Sequence, residues 1–271
     1  MNKEQHIGFI GGGNMASAII GGLLQAGMAA QQFTVVEPFE PARQKLLADF
    51  GVRAESAAVD TLKQCDLVVW AVKPQTFKEA AQNVAPFTTQ ALHLSVAAGV
   101  TSATIAHWLG TERIVRAMPN TPALIGQGMT GLFARAGAST ADKALIDSVM
   151  QVTGQVLWLD EEAQLDAVTA ISGSGPAYVF YFLEAMVQAA LDMGLSDTQA
   201  RTLAAQTFAG STALAAASSE PLAVLRERVT SKGGTTYAAL THMEGAHIKA
   251  EFVAAMRAAE ARAKEMGALF A

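Results

Sequence analysis

The sequence predicts a doubly wound α/β sheet over residues 1–160, followed by an all-helical segment over 161–271. Three observations carry that prediction. Apolar runs bounded by turn residues alternate with helix-period segments as far as residue 160. Runs such as Leu67-Val68-Val69-Trp70-Ala71-Val72 are apolar on both faces, as strands are when helices cover both sides of a parallel sheet. Beyond Asp160 the strand-like runs stop and alanine-rich helical patterns replace them.

In chain order, strands are expected over 6–10, 33–37, 66–72, 92–97, 113–117, 129–134 and 155–159. Helices are expected between several of them, at 14–25, 41–50, 75–84 and 102–109. Their regular alternation with strands is the mark of parallel βαβ units. The second half reads as helices over 163–171, 177–193, 197–217, 235–244 and 247–267. No tandem repeat or low-complexity linker separates the halves, and the boundary is placed at Asp160, where the last strand meets an acidic helix start.

Composition narrows the function. Of the 271 residues, 51% are hydrophobic, 16% are charged, and the formal net charge is −5. That composition specifies a folded chain rather than a disordered one. Without a Lys/Arg cluster, the basic footprint of a nucleic-acid partner is missing. The single cysteine, Cys65, precludes an internal disulfide and fits a reducing compartment. The chain opens on Met1-Asn2-Lys3-Glu4-Gln5-His6 with no signal-like apolar region, and no apolar run is long enough to span a bilayer. A cytoplasmic protein without a membrane partner is expected. The five histidines show no metal-ligand spacing, so no metal site is expected.

The strongest local motif lies at the first strand-to-helix turn, Ile7-Gly8-Phe9-Ile10-Gly11-Gly12-Gly13-Asn14-Met15-Ala16. Gly11, Gly13 and Ala16 satisfy G-x-G-x-x-A, in which the first glycine permits the tight turn and the second admits a pyrophosphate. The following helix directs unpaired N–H groups at the phosphates. This is the Rossmann-like dinucleotide pattern. Glu37 ends the second strand, 26 positions after Gly11. There it serves either as a hydrogen-bond acceptor for ribose hydroxyls, favouring NADH, or as an exposed loop acid. Nearby Arg43 offers a phosphate contact or lies on a solvated helix face, which leaves NADPH and NADH both open. Two more loops fall at strand carboxyl ends, where such sheets bind ligands: Ala71-Val72-Lys73-Pro74 and Ala97-Ala98-Gly99. Arg116-Ala117-Met118-Pro119-Asn120-Thr121-Pro122 is a third, with Asn120 supplying an amide, or a rigid connector.

Two polar, glycine-bearing stretches interrupt the helices of the second half. They are Ser172-Gly173-Ser174-Gly175-Pro176-Ala177-Tyr178 and Thr230-Ser231-Lys232-Gly233-Gly234-Thr235-Thr236. Each precedes a helix, where it reads either as a plain N-cap or as a nest of N–H groups for a carboxylate. The span 144–231 contains no lysine and 136–200 no arginine, so the first stretch and its helix offer no cation.

These motifs, with Val100-Thr101 after Gly99, occur in one order over the whole length. Together they resemble the Δ1-pyrroline-5-carboxylate reductases, which complete proline biosynthesis. The resemblance implies hydride transfer from NADPH or NADH to the C=N bond of pyrroline-5-carboxylate. It implies that Thr236 donates a hydrogen bond to the ring nitrogen. Ser231, Gly234 and Thr235 would hold the substrate carboxylate, with Ser174 and Gly175 on the opposite wall. Gly11, Gly13, Asn14, Met15, Glu37, residues 71–74, Ala97, Ala98, Gly99 and Asn120 would bind the cofactor. It further implies a homodimer formed through the helical domain, associating further into decamers. Lys232 departs from the family pattern, which usually has proline there.

Two alternatives remain at this point. A β-hydroxyacid dehydrogenase would share the order of domains, but it needs a catalytic lysine that the helical half lacks before Lys232. A non-catalytic nicotinamide sensor would need only the first half's motifs.

Overall fold

In a computed structural model, residues 5–269 are described. The first strand, β1 (Ile7–Ile10), is buried throughout and runs into α1 (Asn14–Gln25), which turns Ala16, Ile19, Ile20 and Leu23 inward. There follow β2 (Phe33–Val36), α2 (Glu40–Phe50), β3 (Ala54–Glu55), β4 (Leu67–Trp70), α3 (Pro74–Val84), β5 (Leu92–Ser95) and α4 (Ser102–Leu109). Next come β6 (Ile114–Met118), β7 (Gly128–Ala134), α5 (Thr140–Met150) and β8 (Gly154–Trp158). The strands form one sheet in the order β3-β2-β1-β4-β5-β6-β7-β8. All neighbours pair in parallel except β6 and β7, which are antiparallel. The order reverses at β1, so the crevice between the carboxyl ends of β1 and β4 is the switch point where such sheets bind ligand.

Alternation along each strand divides the core between two faces. Ile7, Phe9, Val35, Leu67, Val69, Leu92, Leu94 and Val115 point to one side, where α1 and α5 cover them. Ile10, Val36, Val68, Trp70 and Ile114 point to the other, under α3 and α4. On that second face Trp70 stacks on Phe77 at 4.8 Å between ring centroids, and Phe77 also meets Trp108 at 5.7 Å. The Trp70 indole N–H donates to Nδ1 of buried His93 at 3.0 Å. Burial outweighs a hydrogen bond to the Thr88 backbone and, with Arg113 nearby, pulls the His93 imidazole down to about 4. His93 is therefore a neutral acceptor of the core. Cys65 is buried on this face as well, and burial pushes its thiol up to about 11.

The strands and helices of the first half lie within a few residues of the expected positions. Three elements lie outside the sequence expectation: the two-residue β3, α5 and a seven-residue helix noted below. The antiparallel β6–β7 pair also departs from a run of parallel βαβ units. Its cause is the connection: a short 3₁₀ turn, Thr121–Ile125, joins the two strands, and it is too short for a crossover helix.

After β8 come α6 (Gln164–Val168), a π-helical turn (Thr169–Gly173), α7 (Gly175–Asp192) and α8 (Asp197–Ala217). The chain ends with α9 (Leu222–Arg228), α10 (Thr235–Gly245) and α11 (Ile248–Ala268). Two compact units result. One contains residues 5–174 and 259–269, and the other is Gly175–Ala258. The units thus part beyond the boundary expected at Asp160, because α6 and the π turn pack on the sheet. A side chain at Gly131 of β7 would sit 2.9 Å from Val168, and one at Gly173 would sit 2.5 Å from Met118. The last turns of α11 likewise bring Met266 against Gly99. Within the helical unit α7 packs along α8, whose N-terminus carries a Ser196/Gln199 capping box. Phe252 meets Tyr178 and Phe182 edge-on, at 6.0 and 5.4 Å.

Candidate active site

The β1–α1 turn is built to leave its N–H groups facing outward. Gly11 has φ +96°, and a Cβ there would lie 2.6 Å from the carbonyl oxygen of Ala71, so only glycine fits. Its own N–H donates to Val36 at 2.8 Å, while Ala71 N–H donates to Ile10, also at 2.8 Å. These bonds lock the turn between β2 and the end of β4. Gly13 and Asn14 are exposed, a Cβ on Gly13 would meet nothing within 4 Å, and no side chain caps α1. An uncapped helix start approached over bare glycine suits a pyrophosphate.

Glu37 lies beside this turn with both carboxylate oxygens engaged. One accepts from Gly12 N–H at 2.7 Å and the other from Phe39 N–H at 2.7 Å. Arg43 donates to the carbonyls of Glu37 and Pro38, at 2.9 and 2.6 Å. Both side chains that bear on cofactor choice are thus fastened to the β2–α2 loop. Lys73 is exposed at the N-cap of α3, with Pro74 as the first helical residue. Ala97 is buried, with its N–H on Ser95 Oγ at 3.3 Å, and leads to Ala98 and Gly99 on the neighbouring strand's end.

Asn120 has partners for both ends of its amide. Its Nδ2 donates to Ser172 carbonyl at 3.1 Å, and its Oδ1 accepts from Met129 N–H at 2.9 Å. The asparagine therefore ties the loop after β6 to the π turn that leads to Ser174 and Gly175. In that turn Ser174 N–H donates to Thr169 carbonyl at 2.8 Å, and Ser172 hydroxyl donates to Val168 carbonyl at 3.2 Å.

In the helical unit, Gly234 N–H donates to Ser231 carbonyl at 3.0 Å, closing the turn that starts α10. No side chain caps that helix, although Thr235 and Thr236 occupy its first turn. Ser231 and Thr235 are exposed and Thr236 is half-buried. This helix start therefore carries three hydroxyls and an uncapped first turn of N–H groups, donors of the kind that suit a small carboxylate.

One group of functional interest was not singled out by the sequence reading. Glu162 accepts from Ser102 N–H at 2.6 Å, from Ser102 hydroxyl at 2.6 Å and from Arg116 Nη1 at 2.7 Å. Burial opposes its ionisation, but the Ser102 and Arg116 bonds prevail and hold its carboxyl below the usual range. The available signal was Arg116, a charge on the inward phase of an otherwise apolar strand. Among the described residues no acid, histidine and cysteine grouping suits a metal ion.

Two family models match the chain: NADP oxidoreductase, coenzyme F420-dependent, over residues 6–99, and pyrroline-5-carboxylate reductase dimerisation over 162–266. A pyrroline-5-carboxylate reductase of Pseudomonas aeruginosa is 42% identical over 96% of each chain, and one of Vibrio alginolyticus is 39% identical over 99% of this chain and 100% of its own. A solved pyrroline-5-carboxylate reductase of Coxiella burnetii superposes with TM-score 0.90 at 37% identity, covering 97% of this chain and 98% of its own. The Plasmodium falciparum enzyme, solved with NADP bound, gives 0.89 at 29% identity over 98% and 100%. With near-complete coverage at this identity, the chain belongs to the pyrroline-5-carboxylate reductase family.

Proposed function

We infer that the chain is an NAD(P)H-dependent oxidoreductase that reduces the C=N bond of Δ1-pyrroline-5-carboxylate to form L-proline. The observation that carries this reading is the pairing, in one chain, of an uncapped glycine-bounded helix start for a dinucleotide with a second uncapped, hydroxyl-bearing helix start for a carboxylate. The reduced nicotinamide, when bound, supplies the hydride that joins the imine carbon. The chain's own task is then to hold the two reactants in register and to stabilise the ring nitrogen as it takes a proton. Gly11, Gly13, Asn14 and Met15 would receive the pyrophosphate, and Glu37 would flank the adenosine ribose. Residues 71–74, with Ala97, Ala98, Gly99 and Asn120, would line or brace the path to the nicotinamide.

On the substrate side, Ser231, Gly234 and Thr235 would hold the carboxylate through N–H and hydroxyl donors. Thr236 would donate a hydrogen bond from its hydroxyl to the ring nitrogen, and Ser174 and Gly175 would form the facing wall. A cyclic imine accepts hydride readily once its nitrogen is hydrogen-bonded or protonated, so the lack of a lysine across 144–231 is no obstacle.

The dimerisation region is proposed to act as its family name states, pairing 161–271 with that of a second copy and allowing further assembly to a decamer. Support comes from Phe180, Tyr181 and Met193, which are 58%, 70% and 81% exposed. No helix among the described residues is long and apolar enough to cross a membrane, and a cytoplasmic location is proposed. The test is to follow oxidation of NADPH and NADH separately on adding pyrroline-5-carboxylate, with proline measured as product. Proline formed in step with oxidation is expected, and the two kcat/KM values rank the cofactors. Cofactor binding without turnover would overturn the reading.

A further inference from the structure

We infer that Glu162 is a positioning residue for hydride transfer, fixing the 97–101 and 119–126 loops through a ring of bonds that also includes the π turn. This rests on the reductase reading, because it assigns those loops to the nicotinamide.

The bonds form a circuit. Ser102 is the first residue of α4 and directly follows the loop that contains Ala97, Ala98 and Gly99. Thr101 caps Thr104 N–H at 3.2 Å, while Glu162 takes the N–H and hydroxyl of Ser102. A carboxylate at that point also suits the positive end of the helix. From the same oxygen that accepts Ser102 N–H, the circuit passes to Arg116, two residues before the end of β6. That strand leads to Asn120, and Asn120 holds the Ser172 carbonyl in the π turn. The π turn returns along α6 to Glu162 itself. Arg135, paired with Glu112 at 2.7 Å, braces the circuit from outside by donating to Ser102 hydroxyl at 3.2 Å.

This is not an ordinary surface ion pair. The Arg116 and Glu162 side chains are only 12% and 25% exposed, and the carboxylate receives three donors within 2.7 Å. Exposed pairs contribute little, whereas removing one member of a buried pair leaves the other charge uncompensated. With its oxygens occupied by protein donors, Glu162 acts through the loops it holds.

The test uses the full chain with Glu162→Gln, which keeps the shape but sets an amide where three donors need acceptors and deprives Arg116 of its counter-charge. The dissociation constant for NADPH, read from cofactor fluorescence, is expected to rise at least about fivefold. In turnover, kcat is expected to fall roughly ten- to a hundredfold, the scale of a small misplacement of reacting groups. KM for pyrroline-5-carboxylate should stay within about threefold, and the isotope effect from cofactor deuterated at the transferred position should increase. A role confined to stability would lower the melting temperature and leave these readouts of the folded protein where they were. An unchanged NADPH constant, or an unchanged kcat in folded variant, overturns the proposal. If Glu162→Gln does not fold, Ser102→Ala decides by the same two measurements, with at least a threefold change expected in each and no change overturning the proposal. If the natural chain does not reduce pyrroline-5-carboxylate, the reductase reading fails, and the NADPH constant still decides the role of Glu162.

Discussion

The sheet unit and the helical unit solve the burial problem in opposite ways. In the first, two apolar layers close over the sheet, and Ile7, Phe9, Trp70, Phe77, Leu92 and Leu94 are all removed from water. In residues 175–258, Ala200 and Ala204 are the only buried apolar side chains, while Leu203, Leu214, Leu222 and Tyr237 remain 49–71% exposed. A unit that buries so little of its own apolar surface has a poor case for folding alone. The lesson is one of division: one part of the chain carries its stability within itself, while the other, which matches a dimerisation family model, leaves its apolar side chains for a second copy to cover.

The largest expected effect lies in the self-sufficient unit. Phe77→Ala should cost about 3–5 kcal/mol in denaturant unfolding, because it opens a cavity beneath Trp70 and Trp108. A loss below about 1 kcal/mol would mean that this layer is loosely packed. The contrasting substitution in the helical unit is Thr236→Ala, which should leave stability nearly unchanged and lower kcat/KM by roughly ten- to a thousandfold. Unaltered kcat/KM would remove Thr236 from the mechanism.

If the helical unit depends on a partner, its unfolding should be sensitive to protein concentration while both subunits are in equilibrium. The expected change is about 1.4 kcal/mol per tenfold dilution near the dissociation range, measured by melting over a concentration series. Melting independent of concentration, with a monomeric mass, would give the helical unit the same self-sufficiency as the sheet. The effect that is smallest near neutral pH returns to the sheet's core. His93 is held near 4 against an ordinary 6.5, so within that window the unfolded chain binds a proton that the native chain refuses. The stabilising contribution is full above pH 6.5 and is lost as pH falls towards 4, at no more than about 1.4 kcal/mol per pH unit. His93→Gln should flatten that part of the stability curve, and an unflattened curve would assign the slope to other groups.

What could be read from the amino acids follows from how local each signal is. The buried strands and the Gly11 turn are written in short windows, by unbroken apolar runs and by a backbone angle that only glycine adopts easily. The start of α5 has a local signal too, since Ser139 and Asp142 form a capping box there. By contrast β3, with only two residues, is too short to show a period. Strand direction at β7 has no local signature, because the same alternation serves parallel and antiparallel neighbours. Among the candidate site residues, the glycines are proposed from spacing alone, but the engagements of Glu37 with Gly12 and of Asn120 with Ser172 depend on long-range folding. Glu162 and Ser102 lie 60 positions apart, so nothing in either neighbourhood announces the pair.

Cys65 has a practical consequence for labelling chemistry. It is the chain's only thiol, is 6% exposed, and is raised to about 11 by burial, so scarcely any of it is thiolate at neutral pH. Maleimides and iodoacetamides should therefore pass over the native protein. A cysteine introduced at an exposed position of each unit would then be the only site modified, and dyes could be attached to either unit without first removing the natural residue.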